Sequence, residues 1–217
     1  SFSLIGVGAR ELSGEIPVFE TLFFRSVLGL ALVVSTLAAM GNLRQIRSQR
    51  LGLHVTRNLF HFAGQYGWFV GIGLLPLAEV FALEFTVPVW TALIAALLLK
   101  ERVRVRTIVA IVLGIVGVLV TVRPGVEIVD LASLLVLGSA VCYAICHTAT
   151  KAMSSSESPF NILFYMCLVQ LPVGLFLALP DWVWPEGIQW FWLVILGVAA
   201  MTGHYCMAAA MAYADVT

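Results

Sequence analysis

Long apolar runs follow one another along the whole chain, separated by short breaks that hold charged residues, proline or glycine. A helix needs about 20 mostly apolar residues to cross the hydrocarbon core of a bilayer. Seven runs reach about that length, and a shorter one opens the chain. They cover residues 1–9, 17–40, 57–75, 77–99, 103–122, 128–150, 159–179 and 188–213. Because the runs are continuous rather than alternating, they predict helices and not the strands of a barrel.

The composition points to the same class of protein. Of the 217 residues, 61% are hydrophobic and 11% are charged, whereas roughly 25% are charged in an average soluble domain. The 12 basic and 12 acidic residues balance, which argues against a nucleic-acid-binding protein. We therefore expect an all-α integral membrane protein that contacts the lipid bilayer and binds no nucleic acid.

Lysine and arginine collect on one side of the predicted bundle. Nine of the 12 lie in or beside the breaks after the second, fourth and sixth runs: Arg44, Arg47, Arg50, Arg57, Lys100, Arg102, Arg104, Arg106 and Lys151. The acidic residues of the breaks favour the opposite side: Glu11, Glu15, Glu127, Asp130, Asp181 and Glu186. Since loops rich in lysine and arginine stay in the cytoplasm, the basic side is predicted to be cytoplasmic, in a multi-pass protein of a bacterial inner membrane.

Two short motifs recur in the second half of the chain. Residues 15–19 (EIPVF) resemble residues 157–160 (ESPF), and residues 77–80 (LAEV) resemble residues 213–216 (YADV). With five spans in each copy, the second copy enters the membrane upside down, which is the inverted-repeat plan of many secondary transporters. We predict a first five-helix repeat over residues 1–125, with a truncated first helix. The second repeat is predicted to be partial, with spans six to eight over residues 126–217 and spans nine and ten missing, so that about seven and a half of ten spans are present.

Several stretches of the chain resemble the EamA-type permeases of the drug/metabolite transporter superfamily. The resemblance rests on residues 12–26 (LSGEIPVFETLFFRS), 74–79 (LLPLAE), 85–88 (FTVP), 99–102 (LKER) and 114–125 (GIVGVLV followed by RPG). It implies ten helices in two inverted five-helix repeats. It also implies the export or uptake of small metabolites, often amino acids or related compounds.

Polar side chains inside the spans are candidates for a substrate site because they are costly in lipid. In the third span, Arg57, His61, Gln65 and Trp68 follow one another at spacings of four, four and three, which places them on one helix face. This face could line a wet cavity for an anionic or zwitterionic solute. In the other interpretation, Arg57 anchors the helix at the lipid headgroups and His61 bonds a neighbouring carbonyl.

Two later spans carry further candidates. The sixth places Tyr143 and His147 between Ser139 and Lys151 at steps of four, and Lys151 is expected to reach the cytoplasmic surface. In the eighth, His204 and Tyr205 are placed near the third-span stripe by the logic of the repeat. Tyr143, His147, His204 and Tyr205 are therefore candidate substrate-binding residues together with His61, Gln65 and Trp68.

Glu84 is an acidic residue within the fourth span, flanked by apolar neighbours. A carboxylate in a low-dielectric environment tends to hold its proton, so Glu84 could couple protons or contact substrate. It could instead form an ion pair with Arg25 of the second span, or face the membrane interface. Pro88, four residues later, predicts a kink.

No motif in the chain indicates an enzyme, a metal or another cofactor. Cys142, Cys146 and His147 lack a fourth ligand of a metal site, and no nucleophile has a base within reach. The leading hypothesis is a secondary transporter, permease or exporter, that moves a small metabolite by alternating access, with protons or exchange as the driving force. The alternative is a membrane-embedded interaction or assembly protein without transport.

Overall fold

The computed structural model describes residues 2–98, 105–122 and 131–213, and within these ranges the chain forms helices and no strand. The helices are α1 (Phe2–Leu12), α2 (Val18–Ala39), α3 (Leu51–Leu74), α4 (Leu77–Glu84), α5 (Val87–Leu98), α6 (Val105–Val122), α7 (Leu131–Met153), α8 (Pro159–Ala178) and α9 (Ile188–Ala210). The all-α prediction is confirmed. Some of the charged residues used above to orient the bundle lie outside the described residues: Lys100, Arg102, Arg104, Glu127 and Asp130.

Five segments of the described chain are long and apolar enough to cross a membrane. They are Val18–Ala39, Leu77–Leu98, Leu131–Met153, Pro159–Asp181 and Ile188–Ala210. Helix α3 is long enough, but polar residues such as Asn58 and Gln65 lower its hydropathy, and both are buried inside the bundle. Helix α6 is apolar over Val105–Val120, which is slightly short of a full span.

Three helices extend beyond the apolar runs that predicted them, and α7 does so by three residues at its end, to Met153. Helix α1 continues through Arg10 to Leu12, where the sequence suggested a break after residue 9. The guanidinium of Arg10 donates to the carbonyl of Leu75, the C-cap residue of α3. The last carbonyls of a helix have no partner within the helix. Arg10 at the end of α1 supplies a donor for one such carbonyl at the end of α3. Helix α3 begins at Leu51, six residues before the predicted start.

The fourth predicted span is broken in two. Helix α4 ends at Glu84, the turn Phe85–Thr86 follows, and α5 begins at Val87. Pro88 has no N–H to donate to the carbonyl of Glu84, four residues earlier. The kink predicted at Pro88 is therefore present, as a full break that leaves Glu84 at a helix terminus.

Close helix pairs build the interior. Helix α3 packs along α7, α2 along α8, and α1 along α9. Glycines permit the close α3–α7 approach: a Cβ atom at Gly67 would lie 2.4 Å from Ser139 Oγ, and one at Gly71 would lie 2.2 Å from Val136 Cγ2. This small-residue pair sets the rotation of α3, so that its polar stripe faces inward.

A polar cluster ties the loop after α2 to the start of α8. The carboxylate of Glu157 accepts hydrogen bonds from Ser48 Oγ and from the side-chain amide of Asn161, and it lies 3.7 Å from His54 Nε2. Glu157 is buried, although it follows a run of serines that is typical of an exposed loop. The cluster therefore holds two connections of the bundle together.

Candidate substrate-binding site

A cavity of about 410 Å³ lies between α1, α2, α3, α4, α5, α7 and α9. Eight of the nine side chains singled out from the sequence line it: Arg25, His61, Gln65, Trp68, Glu84, Tyr143, His147 and His204. They come from five different helices. The α3 stripe and the α7 stripe meet here because the glycine contact brings those two helices together.

Tyr205 does not belong to this lining. Its ring packs against Phe160, with the centroids 4.8 Å apart, and the residue is 37% exposed. Consecutive residues of a helix point roughly 100° apart, and here this turn directs Tyr205 toward α8 and away from the cavity. The structure assigns the inward position to His204.

His61 is at the centre of the polar lining and is 1% exposed. Nε2 of the Gln170 amide in α8 lies 2.8 Å from His61 Nδ1, within hydrogen-bond distance. The His61 ring lies 4.8 Å from the ring of His204 and 5.7 Å from that of Tyr143, measured between centroids. Three helices thus contribute side chains around one buried imidazole.

The basic and the acidic residue of the lining, Arg25 and Glu84, have separate partners. A terminal nitrogen of Arg25 donates to Gln170 Oε1 at 3.4 Å. Glu84 Oε2 accepts from the indole Nε1 of Trp68 at 2.9 Å. The bonds described for Arg25 and Glu84 therefore do not join the two residues, so the cavity holds both a cation and an acid group, each positioned by another side chain.

Arg57 lies deep in the protein rather than at the lipid headgroups. It is 1% exposed, and its Nε donates to Thr150 Oγ1 at 3.0 Å while a terminal nitrogen donates to Asn58 Oδ1. The headgroup-anchor interpretation of Arg57 is therefore wrong. Lys151, expected to reach the cytoplasmic surface, is half-buried and donates from Nζ to the carbonyl of Met211 at 3.0 Å.

Several buried polar atoms at the cavity have no hydrogen-bond partner within the described parts of the chain. They are Arg25 Nε, Gln65 Oε1, Thr91 Oγ1 and His204 Nδ1. A buried polar group without a partner costs about 1–3 kcal/mol. These atoms include both donors and acceptors, so the cavity is suited to a solute that carries both.

Sequence reasoning missed part of the lining and its support. Gln170 has no polar neighbour three or four residues away in α8. Phe2, Phe81 and Thr91 of the lining belong to no polar stripe in the sequence. Gln170 is nevertheless an amide within a span, and the same rule that selected Gln65 would have selected it. Among the described residues, no group of three His, Cys, Asp or Glu is placed to hold a metal ion.

The sequence profile of the EamA-like transporter family matches residues 1–123 and again residues 130–217. The chain belongs to the EamA-like transporter family. The resemblance to EamA-type permeases is thus confirmed, and the protein is a multi-pass membrane protein and a transporter of the drug/metabolite transporter superfamily.

Several relatives of this EamA-like chain carry names of transporters. A riboflavin transporter of Vibrio cholerae is 30% identical over 217 residues, which cover 99% of this chain and 72% of the relative. An S-adenosylmethionine uptake transporter of Rickettsia felis is 25% identical over 100% of this chain and 74% of its own length. A pseudopaline exporter of Pseudomonas aeruginosa is 25% identical over 100% of this chain and 76% of its own.

One solved crystal structure has the same fold as this EamA-like protein. The two superpose with a TM-score of 0.74, at 21% identity, over 98% of this chain and 79% of the other. The similarity supports the helical arrangement that places the cavity among α1, α3, α7 and α9.

Proposed function

We propose that this protein is a secondary transporter that moves a small metabolite across a bacterial inner membrane by alternating access. The observation that carries the proposal is the cavity lined by Arg25, Glu84 and six further polar or aromatic candidates. Polar side chains cost a few kcal/mol each in lipid, and eight of them converge from five helices on one space. Such convergence favours a solute site over a purely structural bundle.

The lining favours a solute that combines a flat or apolar part with polar groups. Trp68, Phe81 and Tyr143 offer ring faces, and stacked aromatic pairs contribute about 0.5–1.5 kcal/mol beyond area burial. Arg25 suits a carboxylate or another anionic group, and Glu84 suits a protonated amine or a coupling proton. An amino acid or a related zwitterion with a ring meets this description, and riboflavin and S-adenosylmethionine, named for two relatives, also contain rings.

The helix contacts support an inverted repeat as the basis of the transport cycle. If residues 1–125 and 126–217 are the two copies, α7, α8 and α9 correspond to α1, α2 and α3. A two-fold axis that relates the two copies would place α2 beside α8. It would also make the α3–α7 contact equivalent to the α9–α1 contact. All three pairs are in contact. The cavity lies among these pairs, where a rocking motion of one copy against the other would open it alternately to each side.

The orientation of the protein is proposed from its loops. Arg44, Arg47 and Arg50 precede α3, whereas Asp181 and Glu186 lie between α8 and α9. The first group is expected in the cytoplasm and the second outside. In a variant without native cysteines, a membrane-impermeant maleimide applied to intact cells should label Glu186→Cys and spare Gln45→Cys. Labelling of both from outside would contradict the proposed topology.

The transport proposal is tested with the full-length protein in proteoliposomes. Uptake of radiolabelled riboflavin, S-adenosylmethionine and a panel of amino acids would be measured with and without an imposed pH gradient. We expect saturable uptake of at least one class, competed by its unlabelled form. Uptake equal to that of protein-free liposomes across the panel, together with no solute protecting the cavity from a thiol reagent in a Gln65→Cys variant, would contradict the proposal.

A further inference from the structure

Gln170 of α8 lies between three groups, two of which have fixed hydrogen-bonding roles. A nitrogen of Arg25 lies 3.4 Å from Gln170 Oε1, and the carbonyl of Asn58 lies 3.3 Å from Gln170 Nε2. A guanidinium can only donate, and a carbonyl can only accept. The amide of Gln170 therefore points its oxygen at Arg25 and its NH₂ group at Asn58. In the reverse orientation the NH₂ group of Gln170 would face the donor nitrogen of Arg25, and its oxygen would face the carbonyl oxygen of Asn58.

The orientation of Gln170 determines the protonation of its third neighbour. Its Nε2 also lies 2.8 Å from Nδ1 of His61. Because that NH₂ group donates, Nδ1 of His61 must accept and carries no hydrogen. A neutral imidazole has one donor and one acceptor nitrogen, whereas an imidazolium has two donors. His61 is thus neutral, with its hydrogen on Nε2.

We propose that Gln170 is a positioning residue that holds His61 as the neutral Nε2–H tautomer, so that His61 carries no coupling proton. Arg25 fixes the amide, the amide fixes the imidazole, and the imidazole presents a permanent N–H donor beside Gln65. The bond to Nδ1 and the burial of both side chains keep this arrangement in place.

The donor then orients Gln65 toward the cavity. Gln65 Nε2 lies 3.4 Å from His61 Nε2, while Gln65 Oε1 has no partner in the described part of the chain. A 180° rotation of this amide lets Oε1 accept from the His61 N–H and turns the NH₂ group toward the cavity. The solute group bound there is then an acceptor, such as a carbonyl or carboxylate oxygen. This role in solute contact rests on the proposed transport function.

The surroundings of His61 also disfavour a positive charge on it. From the packed elements, it faces Arg25 of α2, Arg57 of its own helix and His204 of α9. Helix α7 contributes Tyr143 and His147, and α8 contributes the neutral Gln170. Two of these groups are permanent cations, and none of them carries a carboxyl group. The carboxyl group of Glu84 in α4, which lines the same cavity, is bonded to Trp68.

Nitrogen-15 NMR of histidine-labelled, full-length protein in nanodiscs tests the proposal directly. The chain has four histidines, and the signal of His61 is the one lost in His61→Asn. We expect wild-type His61 to show a protonated Nε2 and a bare Nδ1, unchanged from pH 5 to pH 8. A protonated Nδ1, or a signal that titrates in this range, would overturn the proposal without any variant.

Substitution of Gln170 separates positioning from mere packing. Gln170→Glu keeps the shape but offers only acceptors, so His61 should move its hydrogen to Nδ1 or become charged. Gln45→Glu, at an exposed position, adds the same charge and should leave the His61 signal unchanged. An unaltered tautomer in folded Gln170→Glu would refute the role of Gln170. No solute is needed, so a failure of transport would affect the proposed function and leave this result standing.

Discussion

The glycine contact between α3 and α7 supports the cavity, and it makes a stability prediction that can be worked from the structure. A methyl group at Gly71 would lie 2.2 Å from Val136 Cγ2, whose β-branched side chain has little freedom to move in a helix. Overpacking of this kind costs about 1–3 kcal/mol. Replacing glycine by alanine within a helix returns about 0.5–1 kcal/mol. We expect Gly71→Ala to lower the free energy of unfolding by about 1–2 kcal/mol.

Gly138 provides the matched control because it lies in the partner helix with nothing within 4 Å of its Cβ position. Gly138→Ala should be neutral or stabilise the protein by about 0.5–1 kcal/mol. Unfolding would be followed by helicity during SDS titration in mixed micelles. In a Val136→Ala background the obstructing methyl is absent, so Gly71→Ala should cost at least about 0.5 kcal/mol less than in wild type. Equal stability of the two single alanine variants would refute the contact.

Two further predictions concern acidic side chains. Glu157→Ala should lower the free energy of unfolding by about 1–3 kcal/mol. It removes the acceptor of Ser48 Oγ and one of the two acceptors of the Asn161 amide, which keeps only the carbonyl of Arg47. Glu11→Ala at an exposed site should change the free energy of unfolding by less than about 0.5 kcal/mol; equal effects in the same SDS titration would contradict the buried cluster. Glu84→Gln should abolish the response of uptake to an imposed pH gradient while leaving the protein folded, because an amide cannot carry the proton. Glu79→Gln should keep the response, and an unchanged response in Glu84→Gln would make Glu84 structural.

Most of the fold could be predicted because lipid imposes a strong constraint on sequence. Each span had to be apolar and helical, so hydropathy located the helices to within a few residues. The break at Glu84 was signalled by Pro88, which removes a local hydrogen bond. The early start of α3 was not signalled, because residues 51–56 lie before the apolar run and their helix depends on packing against neighbours.

The candidate site was predictable where one helix determines the geometry. The spacing of His61, Gln65 and Trp68 fixes a shared face without any tertiary information. The choice between His204 and Tyr205 was not predictable, because it depends on the rotation of α9 against its neighbours. Gln170 could have been selected as an amide within a span, but its partners could not, because they come from other helices and are far away in sequence.

The central claim is that the cavity beside Trp68 binds the transported solute. Two aromatic residues provide the most direct test, since Trp68 lines the cavity and Tyr205 packs outside it against Phe160. Initial rates of uptake would be measured in proteoliposomes for Trp68→Ala, Tyr205→Ala and wild type, with the solute that gives saturable uptake in the panel. Loss of one stacking contact should raise the KM of Trp68→Ala by about 2–10-fold and leave that of Tyr205→Ala near wild type. A raised KM in Tyr205→Ala with an unchanged KM in Trp68→Ala would contradict the account.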